Sequence, residues 1–257
     1  MTGRDTAPIW SEEKGPHGAP IVVLVHGSMD RSAGLLRLSR RLDRTCRVLR
    51  YDRRGYGRSS PHAGPFTMTE QVADLDGLVA GRRVVVFGHS YGGNVALAYA
   101  ARRPDLVRAV GVYEAPLSWM DWWPGSTAGG SGPATDGEPA DAAERFMRRM
   151  VGDAMWERLP AGTRAARRAE GPAMIEELTD VGRHAPWTPG SIVQHVVAMH
   201  GTRGARHHIA ATVLLGTILP DCQVVTIDGA RHDGPNSHAD AVAAEIGSLV
   251  TRAATTP

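Results

Sequence analysis

Gly88-His89-Ser90-Tyr91-Gly92, followed by Gly93, sets a serine between two glycines in the spacing G-x-S-x-G. Val84–Phe87 before it is the most β-like run in the chain, and the alanine-rich stretch Asn94–Arg103 after it reads as a helix. A serine on so tight a strand-to-helix turn is held in strained backbone geometry, and bulky neighbours would clash. The helix N-terminus adds partial positive charge beside the hydroxyl. This is the setting of a nucleophile for acyl carbon. At neutral pH a serine needs a base. Of the 11 histidines, His232 stands out by position, in the loop Ile227-Asp228-Gly229-Ala230-Arg231-His232 that follows the last strand-like run. His238 is its nearest rival but stands where the last helix begins. An oxyanion needs donors as well. The backbone N–H of Tyr91 supplies one, and the loop His26-Gly27-Ser28-Met29 the other, with Ser28 assigned first and Met29 second.

Two further groups of residues invite chemistry. Glu114 ends the apolar run Val107–Tyr113. A buried carboxylate is costly unless paired, so Glu114 is either a solvated strand end paired with an arginine or part of a site. His195, His200, His207 and His208 raise the question of a metal. His207 and His208 are adjacent, so they are expected on different sides of a helix, with no carboxylate or cysteine beside them. No metal site and no cofactor is expected.

The elements that must carry these residues alternate. Ile21–Val25 and Val48–Tyr51 read as strands, with a leucine-rich helix over 31–42 between them. Met68–Val79 reads as a helix with Thr67 or Thr69 at its N-cap. Val84–Phe87, the helix stopped by Pro104, and Val107–Tyr113 continue the pattern. After a break, strands are expected at Val193–Met199 and Gln223–Ile227, with helices over 206–219 and Ala239–Val250. Such alternation implies an α/β domain whose mostly parallel sheet carries helices on both faces. Residues 124–140 are rich in Gly, Pro, Ser and Thr and read as a flexible loop, either a lid hinge or plain disorder. Residues 141–182 read as helical, interrupted at Pro160 and Pro172.

Bulk properties exclude other classes. The chain has 257 residues, 42% of them hydrophobic, and a net charge of only +2. No basic block suggests nucleic acid. The pairs Arg53-Arg54, Arg102-Arg103, Arg148-Arg149 and Arg167-Arg168 read as solvated positions. Cys46 and Cys222 stand far apart in sequence, which favours a reducing cytoplasm over a disulfide framework. The start MTGRDTAPIW lacks a secretory signal pattern, and no stretch approaches the roughly 20 apolar residues of a membrane span. A cytoplasmic location, without membrane or nucleic-acid partners, is expected.

With His26-Gly27, Tyr51-Asp52-Arg53-Arg54-Gly55-Tyr56-Gly57-Arg58-Ser59, the Ser90 turn and Gly229-Ala230-Arg231-His232 in this order, the chain resembles the α/β-hydrolase superfamily. The resemblance implies the α/β-hydrolase fold with core residues 1–116 and 191–257 and a helical cap at 117–190. It also implies a structural role for Asp52. The acid's customary place in that superfamily, after the penultimate strand, falls at His200-Gly201-Thr202-Arg203-Gly204 and holds no carboxylate, nor does any position from 191 to 220. Glu114 is the acid that fits instead, with Asp121 and Asp228 as alternatives. Its placement resembles that of haloalkane dehalogenases and zearalenone-type lactonases, as does the aromatic run Trp119-Met120-Asp121-Trp122-Trp123. Those dehalogenases attack with Asp, whereas Ser90 points to acyl carbon. Trp119, Trp122, Trp123 and Met29 either wall an apolar substrate pocket or pack the cap. Met147, Met150, Met155 and Trp156 are expected mainly in a core. The expectation is a metal-independent serine hydrolase of a small carboxylic ester or lactone. A C–C bond hydrolase or cofactor-free perhydrolase would use the same triad, and a hydrolase-fold receptor or other non-catalytic binding module would turn nothing over.

Overall fold

The structure, a computed structural model, describes residues 7–124 and 138–255. Its strands are β1 (Ser11–Lys14), β2 (Ile21–Val25), β3 (Arg47–Tyr51), β4 (Val84–His89), β5 (Val107–Tyr113), β6 (His195–Gly201) and β7 (Cys222–Ile227). Among the described residues they form one sheet in the order β1-β3-β2-β4-β5-β6-β7. All neighbours are parallel except β1, which runs antiparallel to β3. The inner strands β2 and β4 are nearly continuously apolar because both faces of the sheet are covered there. Val22, Leu24, Val85, Phe87, Val197 and Met199 face one side. Helices α1 (Leu36–Leu42) and α9 (Ala239–Thr255) close over them with Leu38, Leu42, Val242, Ile246 and Leu249. Val23, Val25, Val86, Val110, Val112 and Val196 face the other side, covered by α2 (Met68–Val79), α3 (Tyr91–Arg102) and α8 (Arg206–Ile218). Each buried Val or Leu of this kind stabilises the fold by about 1.5–3 kcal/mol.

Between β5 and β6 the described residues hold α4 (Pro139–Val151), α5 (Asp153–Arg158), α6 (Ala161–Ala169) and α7 (Gly171–Arg183), and no strand. Pro160 precedes α6 and Pro172 lies in the first turn of α7, where its missing N–H costs nothing. A further break falls at Gly152, whose φ of 82° a helix cannot use. Most of the loop expected at 124–140 lies outside the described residues. Met147 and Trp156 are buried as expected, but Met150 and Met155 are exposed. They stand on the polar side of short helices, away from the face that packs.

The strand edges bear most of the departures from expectation. Ser11–Lys14 has no apolar alternation, yet it pairs with β3 and is held by Glu12–Arg50 and Glu13–Arg82 ion pairs. Charges on an edge strand also discourage pairing with other chains. β6 begins at His195, because Val193 is exposed while the Gln194 side chain turns inward to donate to the Ala100 carbonyl at 3.1 Å. Thr67 sits at the N-cap of α2 without a side-chain cap bond; Asp180 of α7 accepts from the Met68 N–H instead, at 2.7 Å. α3 starts at Tyr91, three residues before the expected Asn94. Cys46 and Cys222 are both free thiols. Among the described residues, no helix is long and apolar enough to cross a membrane.

Candidate active site

The parallel register brings five strand ends to one edge. Val25 pairs with Gly88, His89 with Tyr113, Tyr113 with Met199, and Gly201 with Ile227. The loops that leave these ends carry Ser28, Ser90, Glu114, Gly204 and His232, at the edge where such sheets bind ligands.

Ser90 occupies the turn between β4 and α3 with φ 54° and ψ −127°. Its N–H donates to the Tyr113 carbonyl at 2.9 Å, and its carbonyl accepts from Gly93 N–H at 2.8 Å. Gly92 lets this turn press against β2, since a Cβ there would run into the Val25 carbonyl oxygen. Among the described residues, four non-glycine residues have left-handed φ: Met29, Ala80, Ser90 and Glu114. Ala80 caps α2; the other three are the sequence-assigned members of one site. Strain of about 1–3 kcal/mol per residue concentrates where a site needs it.

Glu114 is fully buried. Its N–H donates to Met199 O at 2.9 Å, and its Oε1 accepts from Gly201 N–H at 3.1 Å. Its Oε2 lies 2.6 Å from His232 Nδ1. Gly204 makes room for it, because a Cβ there would collide with Oε1. A carboxylate only accepts, so His232 Nδ1 carries the proton and Nε2 is left as the basic nitrogen. The alternative acids lie elsewhere: Asp121 is exposed, and Asp228 is exposed and accepts from Thr202 Oγ1 at 3.2 Å. Asp221 pairs with His195 at the opposite edge, 2.8 Å apart. No hydrogen bond joins Ser90 Oγ to His232; such bonds commonly tighten only around substrate.

The loop bearing His232 is tied down from beneath. His89 Nε2 donates to the His232 carbonyl at 2.7 Å, and Tyr113 OH donates to the Arg231 carbonyl, also at 2.7 Å. His89, the residue before Ser90, thus has a task that the motif alone does not reveal. Burial, reinforced by the neighbouring His232, pushes His89 down to about 3. The same two causes hold His208 well below and His207 below the ordinary imidazole value. Of these rings, His89 and His208 lie directly against His232, at 4.8 and 4.4 Å between centroids.

His207 and His208 do not point apart. Their ring centroids are 4.5 Å from each other, and both lie against Trp123, at 4.9 and 5.3 Å. His208 stacks on His232 at 4.4 Å. A carboxylate does accompany them: Glu114, His208 and His232 each offer one ligand atom within 4.8 Å of the others. Sequence reasoning missed this because Glu114 is remote in the chain. The 2.6 Å between Glu114 Oε2 and His232 Nδ1 suits a shared proton. Two ligands on one tetrahedral zinc, with bonds near 2.0–2.1 Å, would stand about 3.3 Å apart.

The remaining expected residues divide. Ser28 and Tyr91 border the Ser90 turn, with Ser28 Oγ buried and without a partner among the described residues. Met29 and Trp123 are buried, Trp119 packs edge-on against Trp187 at 5.4 Å, and Trp122 is exposed. Asp52 is buried under the loop, where its carboxylate accepts from Ser32 N–H at 2.8 Å and from Arg58 N–H and Nε at 3.0 and 2.9 Å. Burial would raise it, but these donors outweigh burial and hold it down to about 2. Arg53 and Arg54, expected in solvent, are buried. Arg54 pairs with Asp74 at 2.6 and 2.7 Å, and Arg53 with Glu177 at 2.6 Å.

A model of the alpha/beta hydrolase family matches residues 22–245. Over 107 residues the chain is 36% identical to a proline iminopeptidase of Xylella fastidiosa, which covers 39% of this chain and 34% of that protein. The matches span about a third of the length of such curated relatives. A thermophilic esterase from Thermogutta terrifontis superposes with a TM-score of 0.75 at 20% identity, covering 95% of this chain and 93% of the other. The enol-lactonase from Burkholderia xenovorans LB400 does so at 0.73 and 22%, covering 95% and 96%.

Proposed function

Because the chain belongs to the alpha/beta hydrolase family, we propose that it is a serine hydrolase of carboxylic esters or lactones that works through Ser90, His232 and Glu114. The observation that carries this reading is the 2.6 Å bond between His232 Nδ1 and the buried Glu114 Oε2, one strand away from a strained Ser90. That bond fixes the tautomer a general base needs. The esterase and lactonase among the structural neighbours support the substrate class.

In this reading Ser90 Oγ attacks the carbonyl carbon while His232 Nε2 takes its proton. Glu114 stabilises the imidazolium that results. The oxyanion lies between the N–H groups of Ser28 and Tyr91. As the tetrahedral adduct collapses, the C–O bond breaks and His232 returns the proton to the leaving alkoxide, which leaves an acyl-serine. Water then attacks, His232 takes one of its protons, and the acid departs as the proton returns to Ser90 Oγ. The helices between β5 and β6 serve as a cap, and Trp123 lies beside the histidine cluster as an apolar wall.

A fluorophosphonate probe together with p-nitrophenyl acetate and dihydrocoumarin tests this. Wild type should label and turn over at least one substrate, and Ser90→Ala should do neither. Equal labelling of Ser90→Ala would remove Ser90 from the role. Labelling without turnover of either substrate would favour a receptor.

A further inference from the structure

Arg53 is fully buried in the loop after β3, and it reaches in two directions. Toward β2, its Nε donates to the His26 carbonyl at 3.0 Å and its Nη2 to the Gly27 carbonyl at 3.1 Å. Toward α7, its Nη1 and Nη2 donate to the two carboxylate oxygens of Glu177 at 2.6 and 3.3 Å. Glu177 is fully buried too, and takes a third bond from Tyr56 OH at 2.7 Å. The guanidinium also lies 4.7 Å from the ring centroid of Tyr91. His26 completes the bracket: its Nδ1 donates to Gly27 O at 2.8 Å while its Nε2 accepts the Arg53 N–H at 2.9 Å.

The Gly27 carbonyl and the Ser28 N–H belong to one planar trans peptide and point in opposite directions across it. Two donors on Gly27 O therefore fix where Ser28 N–H points, and by drawing electron density to the oxygen they make that N–H a better donor. A guanidinium could not stay buried at this carbonyl without a partner charge. Glu177 supplies that charge from α7, the last α-helix of the long connection between β5 and β6. The far end of the loop is held likewise: Arg167 of α6 donates to Met29 O at 2.7 Å and pairs with Glu170 at 3.3 Å.

We propose that Arg53 and Glu177 are positioning residues that aim the Ser28 N–H at the oxyanion, so that the helices between β5 and β6 control transition-state stabilisation as well as access. This rests on the assignment of Ser28 N–H to the oxyanion under the proposed function. Lysine at position 53 keeps the charge opposite Glu177 but lacks the fork that spans both carbonyls.

Arg53→Lys is therefore the test, with Arg53→Met/Glu177→Gln as a second variant that removes both charges and still offers Tyr56 OH an acceptor. In each folded variant the amide resonance of Ser28 in the 15N-labelled protein should move, while that of Val242 on the far face of the sheet stays. kcat on p-nitrophenyl acetate should fall about tenfold or more with KM within about twofold, since an ångström of misplacement can cost about a hundredfold. A general structural role would shift stability without this split. An unmoved Ser28 amide, or an unchanged kcat in a folded variant, overturns the proposal. Were wild type itself inactive on esters, the proposed function would fail, and the Ser28 resonance would still decide whether the clamp exists.

Discussion

Glu114 bears three constraints at once: a left-handed φ of 47°, complete burial and a 2.6 Å bond to His232. Each costs something alone, and together they make sense only if the carboxylate has to face the histidine. Glutamine at this position keeps the size and an acceptor oxygen. It can also turn its NH2 toward Nδ1, which then has to accept, and the proton moves to Nε2 where it blocks the base. Glu114→Gln should accordingly lower kcat by about three to four orders of magnitude, as loss of the correct tautomer does in other triads. Its thermal midpoint should stay close to wild type. Steady-state kinetics on the hydrolysed ester check this, and near-wild-type turnover would detach Glu114 from the base. Ser90, Glu114 and His232 could be singled out in the sequence because each sits at the end of a recognisable strand or motif. His208, Arg53 and Glu177 could not. Arg53 and Glu177 are 124 residues apart, and no local pattern encodes a buried ion pair.

At the scale of elements, apolar continuity made the inner strands legible, while the polar edge strand β1 and the break at Gly152 left no periodic signature. The start of α3 was obscured for a related reason. Gly92 and Gly93 are poor helix formers, yet a Cβ on Gly92 would run into the main-chain oxygens at the end of β2 and one on Gly93 into Ala115 beyond β5. Tertiary contact overrides propensity at this point. Gly92→Ala tests that explanation. The obstacle to its Cβ is main-chain oxygen of β2, which cannot turn aside as a side-chain end would. The variant should lose about 1–3 kcal/mol of stability in denaturant unfolding, and the displaced turn should slow fluorophosphonate labelling of Ser90. Unaltered stability and labelling would mean that the turn is looser than the packing implies.

For the molecule as a whole, His89 and Asp52 contribute two separate stages to the response to acid, and His26 and His208, held well below the ordinary imidazole value by burial, act in the same direction as His89. His89 has its imidazole depressed from 6.5 to about 3, first by burial and then by its neighbour His232. The unfolded chain therefore takes up a proton near pH 6.5 that the folded chain refuses until about pH 3. Stability attached to His89 is fully present above 6.5 and is lost as pH falls through that window, at up to about 1.4 kcal/mol per unit. Asp52 adds a second stage. Despite burial, its donors from Arg58 and Ser32 lower it from 3.8 to about 2, so its contribution is present above about 3.8 and is lost as pH falls to about 2. Wild type should then lose stability progressively from about pH 6.5, well before carboxylates with ordinary values begin to protonate. His89→Gln keeps an N–H donor for the His232 carbonyl but has nothing to titrate. Thermal unfolding at pH 7, 5 and 3 should give this variant a flatter profile between 7 and 5, with the Asp52 stage intact below 4. Parallel profiles for the two proteins would show that His89 exchanges its proton with solvent as freely when folded as when unfolded, and that its bond to the His232 loop does not keep it neutral.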